Sequence, residues 1–414
     1  MTSLRFDINS LLLSLPAGFI IVNFISAGYI ITTGVYNGDF QGIPSTYSNL
    51  EVIFFAVIGS IPYYLIYSII KNVRSEKEPK KVPNLFFLFV VAILLISLFL
   101  TLVYGVGIYA QEIYQVPTFL KIPVVLINRL DVILLVSILL ITPRVLWKQI
   151  LFLGSLLFLL TILRGSLQGL MLLFILFYFK IMDPYQRDDS GLNKMNGQSS
   201  NTLKYIIIFS IACLIAVLAP YLYELRESVR GITSVAGGEI NFFSFFFGKL
   251  LGRLSNLSSL LIFFERIHLY VDSIDQLPYF AYQIDALKYF WGGFFPSSGL
   301  MDHYNFFTAM LDPFAKGHYA MQSGLIPALS ISFLKSPFML ILDLFLIFSS
   351  IILFTKIAVN ILGPTGKLLS ITILIFPVLS GAANQFANPL YSLSIIYITF
   401  ILIKKLNIRL KSIL

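Results

Sequence analysis

Long uninterrupted apolar runs constrain this chain more than any other feature of its sequence. The stretch 84–107, NLFFLFVVAILLISLFLTLVYGVG, contains no charged residue. A run of about 18 apolar residues is long enough to cross the hydrocarbon core of a bilayer as a helix. Because 57% of the 414 residues are hydrophobic and only 12% are charged, such runs account for most of the chain. The sequence therefore predicts an all-α polytopic membrane protein.

About ten transmembrane helices can be drawn from these runs. The eighth is too long for one straight helix, and Pro327 and Pro337 interrupt its first half. Because proline removes a helical hydrogen bond, we expect a broken or re-entrant half-helix there. The predicted spans are 10–33, 50–70, 84–107, 122–142, 146–163, 165–182, 203–220, 323–357, 367–386 and 389–404.

Basic residues in the short loops predict the orientation. The loop KNVRSEKEPKK at 71–81 carries five basic residues, whereas VYNGDFQGIPSTYSN at 35–49 has no Lys or Arg. Short cytoplasmic loops are enriched in Lys and Arg, and ten spans with both termini in the cytoplasm satisfy this rule. The predicted organisation is a seven-span bundle in 1–220, one large periplasmic loop with interfacial helices in 221–322, and three spans in 323–414.

Charge and cysteine content exclude several other classes of protein. The net charge is +9, but the basic residues flank apolar runs and do not form one surface, so we expect no nucleic-acid partner. Cys213 is the single cysteine and lies within an apolar run, which excludes an intrachain disulfide and a thiolate metal site. We expect neither a metal nor another cofactor.

The predicted outer loop contains cations in pairs. Arg226 and Arg230 lie four residues apart, and so do Lys249 and Arg253. Like charges at this spacing on a helix repel by roughly 0.2–0.5 kcal/mol. A bound dianion would reverse that cost, because guanidinium groups bind phosphate oxygens in bidentate fashion. The loop residues predicted to bind an anion are Arg226, Arg230, Lys249, Arg253, Arg266 and His318.

Arg164 stands alone in the turn between two spans of minimal length, in FLLTILRGSLQGLMLLF. A charge this close to hydrocarbon is costly and usually has a partner, and a lipid-linked phosphate would be one. Each of these assignments has a simpler alternative. Glu224 and Glu227 would neutralise the first arginine pair in a solvated turn, and Arg164 would extend to the membrane interface.

The same loop holds all three histidines of the chain, His268, His303 and His318. A neutral imidazole accepts a proton from a hydroxyl group, and a neighbouring carboxylate orients the ring. His303, which follows Asp302, is therefore the predicted general base, with Asp302 and Glu239 as alternatives. The aromatic segments NFFSFFFG, LPYFAYQ and YFWGGFF predict helices that lie in the membrane interface.

Three features together resemble the Wzy-type O-antigen polymerases. They are the large outer loop between spans seven and eight, the Arg-Gly-Ser turn at 164–166, and the DHYN segment at 302–305. This family is related to the O-antigen ligases and to the polymerases of the shape and division (SEDS) type. The arrangement of spans and loops is similar over most of the chain, whereas the sequence motifs match only over short stretches.

The resemblance implies a GT-C-like membrane glycosyltransferase of the bacterial inner membrane, inverting and metal-independent. It would polymerise oligosaccharide repeat units carried on undecaprenyl pyrophosphate, with membrane lipid, a chain-length regulator and a flippase as further partners. By position, Arg164 would hold the pyrophosphate, and Arg226, Arg230 and Arg253 match arginines of the family's large loop. His303 resembles the histidine of an HN segment, although Tyr304 stands between it and Asn305 in this chain.

Other functions stay open at this point. An O-antigen ligase uses the same donor with a different acceptor. A flippase or transporter for lipid-linked oligosaccharide would line its spans with polar residues, and a membrane acyltransferase would use His303 as its base.

Overall fold

The computed structural model describes residues 8–75, 80, 82–107, 116–121, 124, 127, 129–142, 147–164, 167–182, 242–284, 303–311, 322–381 and 384–413. Within these ranges the chain forms helices joined by turns and no β-strand, apart from one isolated bridge between Val35 and Pro44. The all-α prediction is confirmed for this part of the chain.

The N-terminal half contributes a row of apolar helices. They are α1 (Ile8–Thr33), α2 (Asn49–Asn72), α3 (Asn84–Tyr104), α4 (Val132–Ile141), α5 (Trp147–Leu163) and α6 (Leu167–Met182). Four shorter helices follow, namely α7 (Phe242–Ser255), α8 (Leu257–Glu265), α9 (Ile267–Ser273) and α10 (His303–Leu311). The chain closes with α11 (Leu325–Lys335), α12 (Pro337–Leu362), α13 (Gly366–Ser380) and α14 (Asn384–Ile413).

Five segments of the described chain are long and apolar enough to cross a membrane. They are Ile8–Thr33, Asn49–Asn72, Asn84–Tyr104, Pro337–Ser380 and Gln385–Leu406. The helices in the predicted spans 122–142, 146–163 and 165–182 are apolar but only 10–17 residues long, and the predicted span 203–220 lies outside the described residues. The long apolar helices indicate a membrane-embedded protein.

The predicted span 122–142 does not form one helix. Asp131 has a left-handed backbone with φ of 46°, and its carboxylate accepts hydrogen bonds from the backbone nitrogens of Ile133 and Leu134 at 3.1 and 3.2 Å. These bonds satisfy two amide groups that would otherwise be unpaired at a helix start. The helix therefore begins at Val132, and the predicted span 122–142 contains a break at Leu130 and Asp131.

The predicted break in the eighth span is confirmed, but only one of the two prolines accounts for it. α11 ends at Lys335, and Ser336 caps the start of α12 by accepting a hydrogen bond from the Phe338 nitrogen at 3.3 Å. Pro337 is the first residue of α12. Pro327 lies in the first turn of α11, where its missing N–H leaves no helical bond unmade, so it does not interrupt the helix.

α13 forms the centre of the bundle, since every residue from Gly366 to Ser380 is buried. Two buried lysines mark one end of this bundle. The Lys180 amine donates to the Thr142 carbonyl at 2.6 Å, and the Lys367 amine donates to the Lys71 carbonyl at 2.7 Å. Each cation thus neutralises the partial negative charge at the C-terminal end of α4 or α2.

A second hydrophobic core caps the opposite end of the bundle. It joins the end of α1, the loop 34–48 and the start of α2 to α8, α9 and α10. Tyr270 lies at its centre, with its ring 4.8 Å from Phe263 and its hydroxyl donating to the Phe307 carbonyl at 3.2 Å. We call the described residues 242–284 and 303–311 the cap. Within it, Phe247 and Tyr279 remain exposed.

Candidate functional site at the capped end of the bundle

The loop 34–48 is fixed to the cap by a contact between two glycines. A β-carbon at position 252 would lie 2.2 Å from the backbone nitrogen of Gly38, so only glycine fits there. Gly38 itself has φ of +74°, a conformation that favours glycine. The contact brings the next residue of each segment together. The Arg253 guanidinium donates through Nε and Nη2 to Asp39 Oδ1 at 3.0 and 2.8 Å.

A buried polar network continues from this ion pair into the bundle. The Asn37 side chain donates to Ser26 Oγ at 2.8 Å and accepts from Ser258 Oγ at 2.6 Å. Ser255 Oγ donates to Ser26 Oγ at 3.0 Å. Because buried polar groups are costly unless they are hydrogen-bonded, the network fixes the relative positions of α1, the loop and the α7–α8 junction.

A carboxylate and two tyrosines occupy the other side of the loop. The Tyr36 hydroxyl donates to Glu265 Oε2 at 2.6 Å, and the Tyr47 hydroxyl donates to the Leu261 carbonyl at 3.2 Å. Burial, followed by the hydrogen bond to Glu265, raises the pKa of Tyr36. Burial and the nearby negative charge of Glu265 raise the pKa of Tyr47 to about 12. Both phenols are therefore neutral hydrogen-bond donors over the physiological pH range.

Arg164 follows the last residue of α5 and lies against the end of α3. Its Nε donates to the Thr101 hydroxyl at 3.2 Å, and the guanidinium interacts electrostatically with Asp131, the N-terminal capping residue of α4. Gly107 clears the space for this side chain, because a β-carbon there would lie 2.8 Å from Arg164 Nε. The arginine predicted from its isolated position in the turn is thus held in a defined place by three separate segments.

Arg164 and Arg253 lie at the same end of the bundle. A hydrogen bond of 2.7 Å from Ser392, near the start of α14, to the Arg129 carbonyl joins the start of α14 to the start of α4. Asn256, just after α7, donates to a carbonyl in the last turn of α13 at 3.0 Å. Since α14 begins where α13 ends, these bonds connect the two arginine environments. The buried lysines Lys180 and Lys367 mark the other end.

Five of the ten predicted site residues fall within the described chain. Lys249 and Arg253 both lie on α7, four residues apart as predicted, and Arg266 lies between α8 and α9. All three side chains are half-buried. His303 begins α10, for which the structure describes the backbone at that residue. The predicted residues Asp302, Glu239, Arg226, Arg230 and His318 lie outside the described residues.

The sequence analysis missed two uncharged residues, Asn256 between α7 and α8 and Gln322 before α11. Oδ1 of Asn256 and Oε1 of Gln322 are buried and have no hydrogen-bond partner among the described residues. They are neighbours, because Asn256 contacts Gly324 and Ser259 Oγ donates to the Gln322 carbonyl at 2.6 Å. A buried acceptor without a hydrogen-bond partner is costly, so these two oxygens stand out among the described residues. No charge or motif in the sequence marks them.

Asp343 lies within the predicted eighth span, 323–357. The structure buries it completely, between α11 and the helical turn formed by residues 281–284. Its carboxylate accepts from Ser332 Oγ at 2.5 Å and from the Gln283 amide nitrogen. This site is separate from the arginine environments.

Comparison with protein-family models, with curated proteins and with solved structures finds no match to this chain.

Proposed function

We propose that this protein is a membrane glycosyltransferase that polymerises undecaprenyl-pyrophosphate-linked oligosaccharide repeat units. Arg164 is the single observation that carries the proposal. A guanidinium group held at one end of an apolar bundle suits a pyrophosphate whose polyprenyl chain lies in the surrounding membrane. Breaking the bond between a sugar and its pyrophosphate develops negative charge on the leaving group, and a fixed cation stabilises that charge as it forms.

The environment of Arg164 supports binding of an anion. Its Nε donates to the Thr101 hydroxyl and its guanidinium attracts the Asp131 carboxylate, so the side chain is held at the end of α3. We assign pyrophosphate contact first to Arg164, because it directly follows the apolar helix α5, beside which a polyprenyl chain would lie in the membrane. Arg253, whose guanidinium contacts Asp39 at 2.8 Å, has the added role of fixing the loop 34–48.

In this proposal the sugar binds near Asn256 and Gln322, whose buried oxygens Oδ1 and Oε1 have no hydrogen-bond partner among the described residues. Sugar hydroxyl groups are the hydrogen-bond donors that such oxygens lack. In this scheme an acceptor hydroxyl attacks the anomeric carbon, the bond from that carbon to pyrophosphate breaks, and the proton passes to a general base. His303 remains the first choice for that base, with Asp302 and Glu239 as alternatives.

The proposal includes the finer topology. Ten spans in a GT-C-like arrangement, with both termini in the cytoplasm, would place the cap and Arg164 on the periplasmic side of a bacterial inner membrane. Lipid-linked repeat units are polymerised on that side in the family that the sequence resembles. A chain-length regulator and a flippase would then act beside this protein.

A lipid-linked oligosaccharide flippase is the second candidate, because one observation favours it. Asp343 is a buried carboxylate within the bundle, and ionisable residues inside membrane segments often mark transport pathways. An O-antigen ligase shares the donor and the pyrophosphate chemistry, so the arginine environment is equally compatible with it.

The glycan pattern of a deletion strain tests these functions. Loss of a polymerase leaves lipopolysaccharide core capped with one repeat unit, loss of a ligase leaves bare core, and loss of a flippase leaves donor on the cytoplasmic side. Complementation with Arg164→Ala or Arg164→Lys should fail to restore long chains, because a lysine cannot reproduce a bidentate contact.

Lys148→Ala is the matched control, since Lys148 lies exposed near the opposite end of the same helix α5. It should restore long chains fully. Long chains of normal length from Arg164→Ala, with the protein present in the membrane at the wild-type level, would refute the pyrophosphate assignment.

A further inference from the structure

Asp343 has a buried carboxylate that contacts no cationic side chain among the described residues. The residue has no exposed surface, and it lies about 10 Å along α12 from its start at Pro337. The opposite face of the helix exposes Phe338, Ile341 and Phe345, each by more than 60%, to the surrounding membrane. Asp343 therefore points away from lipid into the packed interior.

The partners of this carboxylate are neutral. Ser332 Oγ donates to Oδ2 at 2.5 Å and the Gln283 amide nitrogen donates to the other oxygen. Two neutral hydrogen bonds do not offset the burial of a full charge, which costs several kcal/mol without a countercharge. Among the described residues no cation offsets this carboxylate, and a proton or cation from solution would.

The cations on neighbouring elements are engaged elsewhere. Lys335, in the last turn of α11, is directed to the Ile274 carbonyl at 3.3 Å, to Asp275 at 3.7 Å and to the face of the Tyr279 ring. Lys356 lies 13 residues further along α12, about 20 Å away along the helix axis. Lys367 lies at the lysine end of the bundle, on α13. The other tyrosines and lysines with described side chains on the elements packed against α12 belong to α2 and α14, namely Tyr63, Tyr64, Tyr67, Lys71, Tyr391, Tyr397, Lys404 and Lys405, together with Tyr282 beside Gln283.

The groups around Asp343 are suited to binding a small cation. Besides the two carboxylate oxygens they offer the Ser332 hydroxyl and Gln283 Oε1, which is buried without a hydrogen-bond partner in the described chain. A half-turn of the Gln283 amide would present that oxygen to a cation at Asp343. Oxygen ligands of this kind suit hard cations.

We propose that Asp343, Ser332 and Gln283 form a binding site for one exchangeable monovalent cation, either a proton or Na⁺. The site joins α11 to α12 and to the turn at 281–284. The other end of α11 follows Gly324, which lies beside Asn256 and about 12 Å along the helix from Ser332. Occupancy of the site would therefore set the position of a half-helix whose far end lies beside Asn256. The proposal does not depend on the glycosyltransferase assignment.

Infrared spectroscopy and thermal unfolding of the purified full-length protein in detergent test the site. Spectra recorded in choline chloride should show the carbonyl stretch of a protonated carboxylic acid that Asp343→Asn removes, if the cation is a proton. If the cation is Na⁺, NaCl in place of choline chloride at constant ionic strength should raise the unfolding temperature of the wild type and not that of Asp343→Asn. Loss of the carboxylic acid band when NaCl is added would show that the two cations compete.

Two further variants keep the test interpretable. Asp131→Asn removes another aspartate of the bundle, which has two backbone amides and the Arg164 guanidinium as partners, and it should leave the Asp343 band and the Na⁺ response unchanged. Ser332→Ala removes one oxygen ligand and should weaken Na⁺ binding, or shift the pH at which the band disappears, even if Asp343→Asn fails to fold. A wild type with no such band at neutral pH and an unfolding temperature independent of Na⁺ would overturn the proposal.

Discussion

Gly252 lies directly against Gly38, and this contact places Arg253 beside Asp39. The two glycines belong to segments more than 200 residues apart, one in α7 and one in the loop between α1 and α2. Neither position has room for a side chain on the facing surface. The candidate site therefore depends on close packing of two backbone segments, and the Arg253–Asp39 ion pair forms because these segments are in contact.

Substitution of Gly252 by alanine should destabilise the protein. The added β-carbon would lie 2.2 Å from backbone, which cannot give way as a flexible side chain can. Overpacking of this kind costs about 1–3 kcal/mol or more, so the unfolding temperature should fall by several degrees. Gly28→Ala in α1 is the control, because a β-carbon there meets nothing within 4 Å. Equal unfolding temperatures for the two variants would contradict the close contact.

The Arg253–Asp39 pair should show energetic coupling. Its side chains are 33% and 13% exposed, so solvent screens the pair only in part. We expect Arg253→Gln and Asp39→Asn each to lower the free energy of unfolding by about 1–2 kcal/mol, and the double variant to cost less than their sum. A double-mutant cycle of thermal unfolding measures the difference. Strict additivity would show that the two charges do not interact in solution.

Gly107→Ala should impair activity through Arg164. Gly107 has φ of +84°, and its β-carbon would lie 2.8 Å from Arg164 Nε, so the guanidinium must move. We expect shortened or absent glycan chains, as for Arg164→Ala. Gly42→Ala is a matched control, because Gly42 has φ of +91° and equal backbone strain but no neighbour within 4 Å. If both variants, or neither, reduce chain length, the displacement of Arg164 is not the cause.

Alkaline pH should weaken the packing of the loop 34–48 against the cap, through Tyr47. The ordinary pKa of tyrosine is about 10, and folding raises the pKa of Tyr47 to about 12. The unfolded chain therefore loses this proton first, so stability is constant below pH about 10 and declines as pH rises toward 12. Tyr47→Phe should reduce the decline in unfolding temperature over this interval. The exposed Tyr279→Phe controls for loss of a hydroxyl and should not reduce it.

The helices of the bundle and the break at Ser336 could be predicted because their causes are local. The length of an apolar run decides whether a helix can span the membrane. Pro337 prevents α11 from continuing, whatever residues surround it. The boundary at Val132 was missed because it depends on the side chain of Asp131 turning back onto its own backbone. Apolar composition around 122–142 contains no sign of that bond.

The sequence by itself determined that this chain is an all-α membrane protein, and it singled out Arg164 as an isolated charge. Only the tertiary structure decided which groups meet. Asp39 and Arg253 are 214 residues apart, and Gln283 and Asp343 are 60 apart, so no periodicity or spacing links them. Their pairing follows from how closely helices and loops pack, as the contact of Gly252 with Gly38 does. Hydropathy is a property of each segment alone, whereas a hydrogen bond requires the positions of two segments at once.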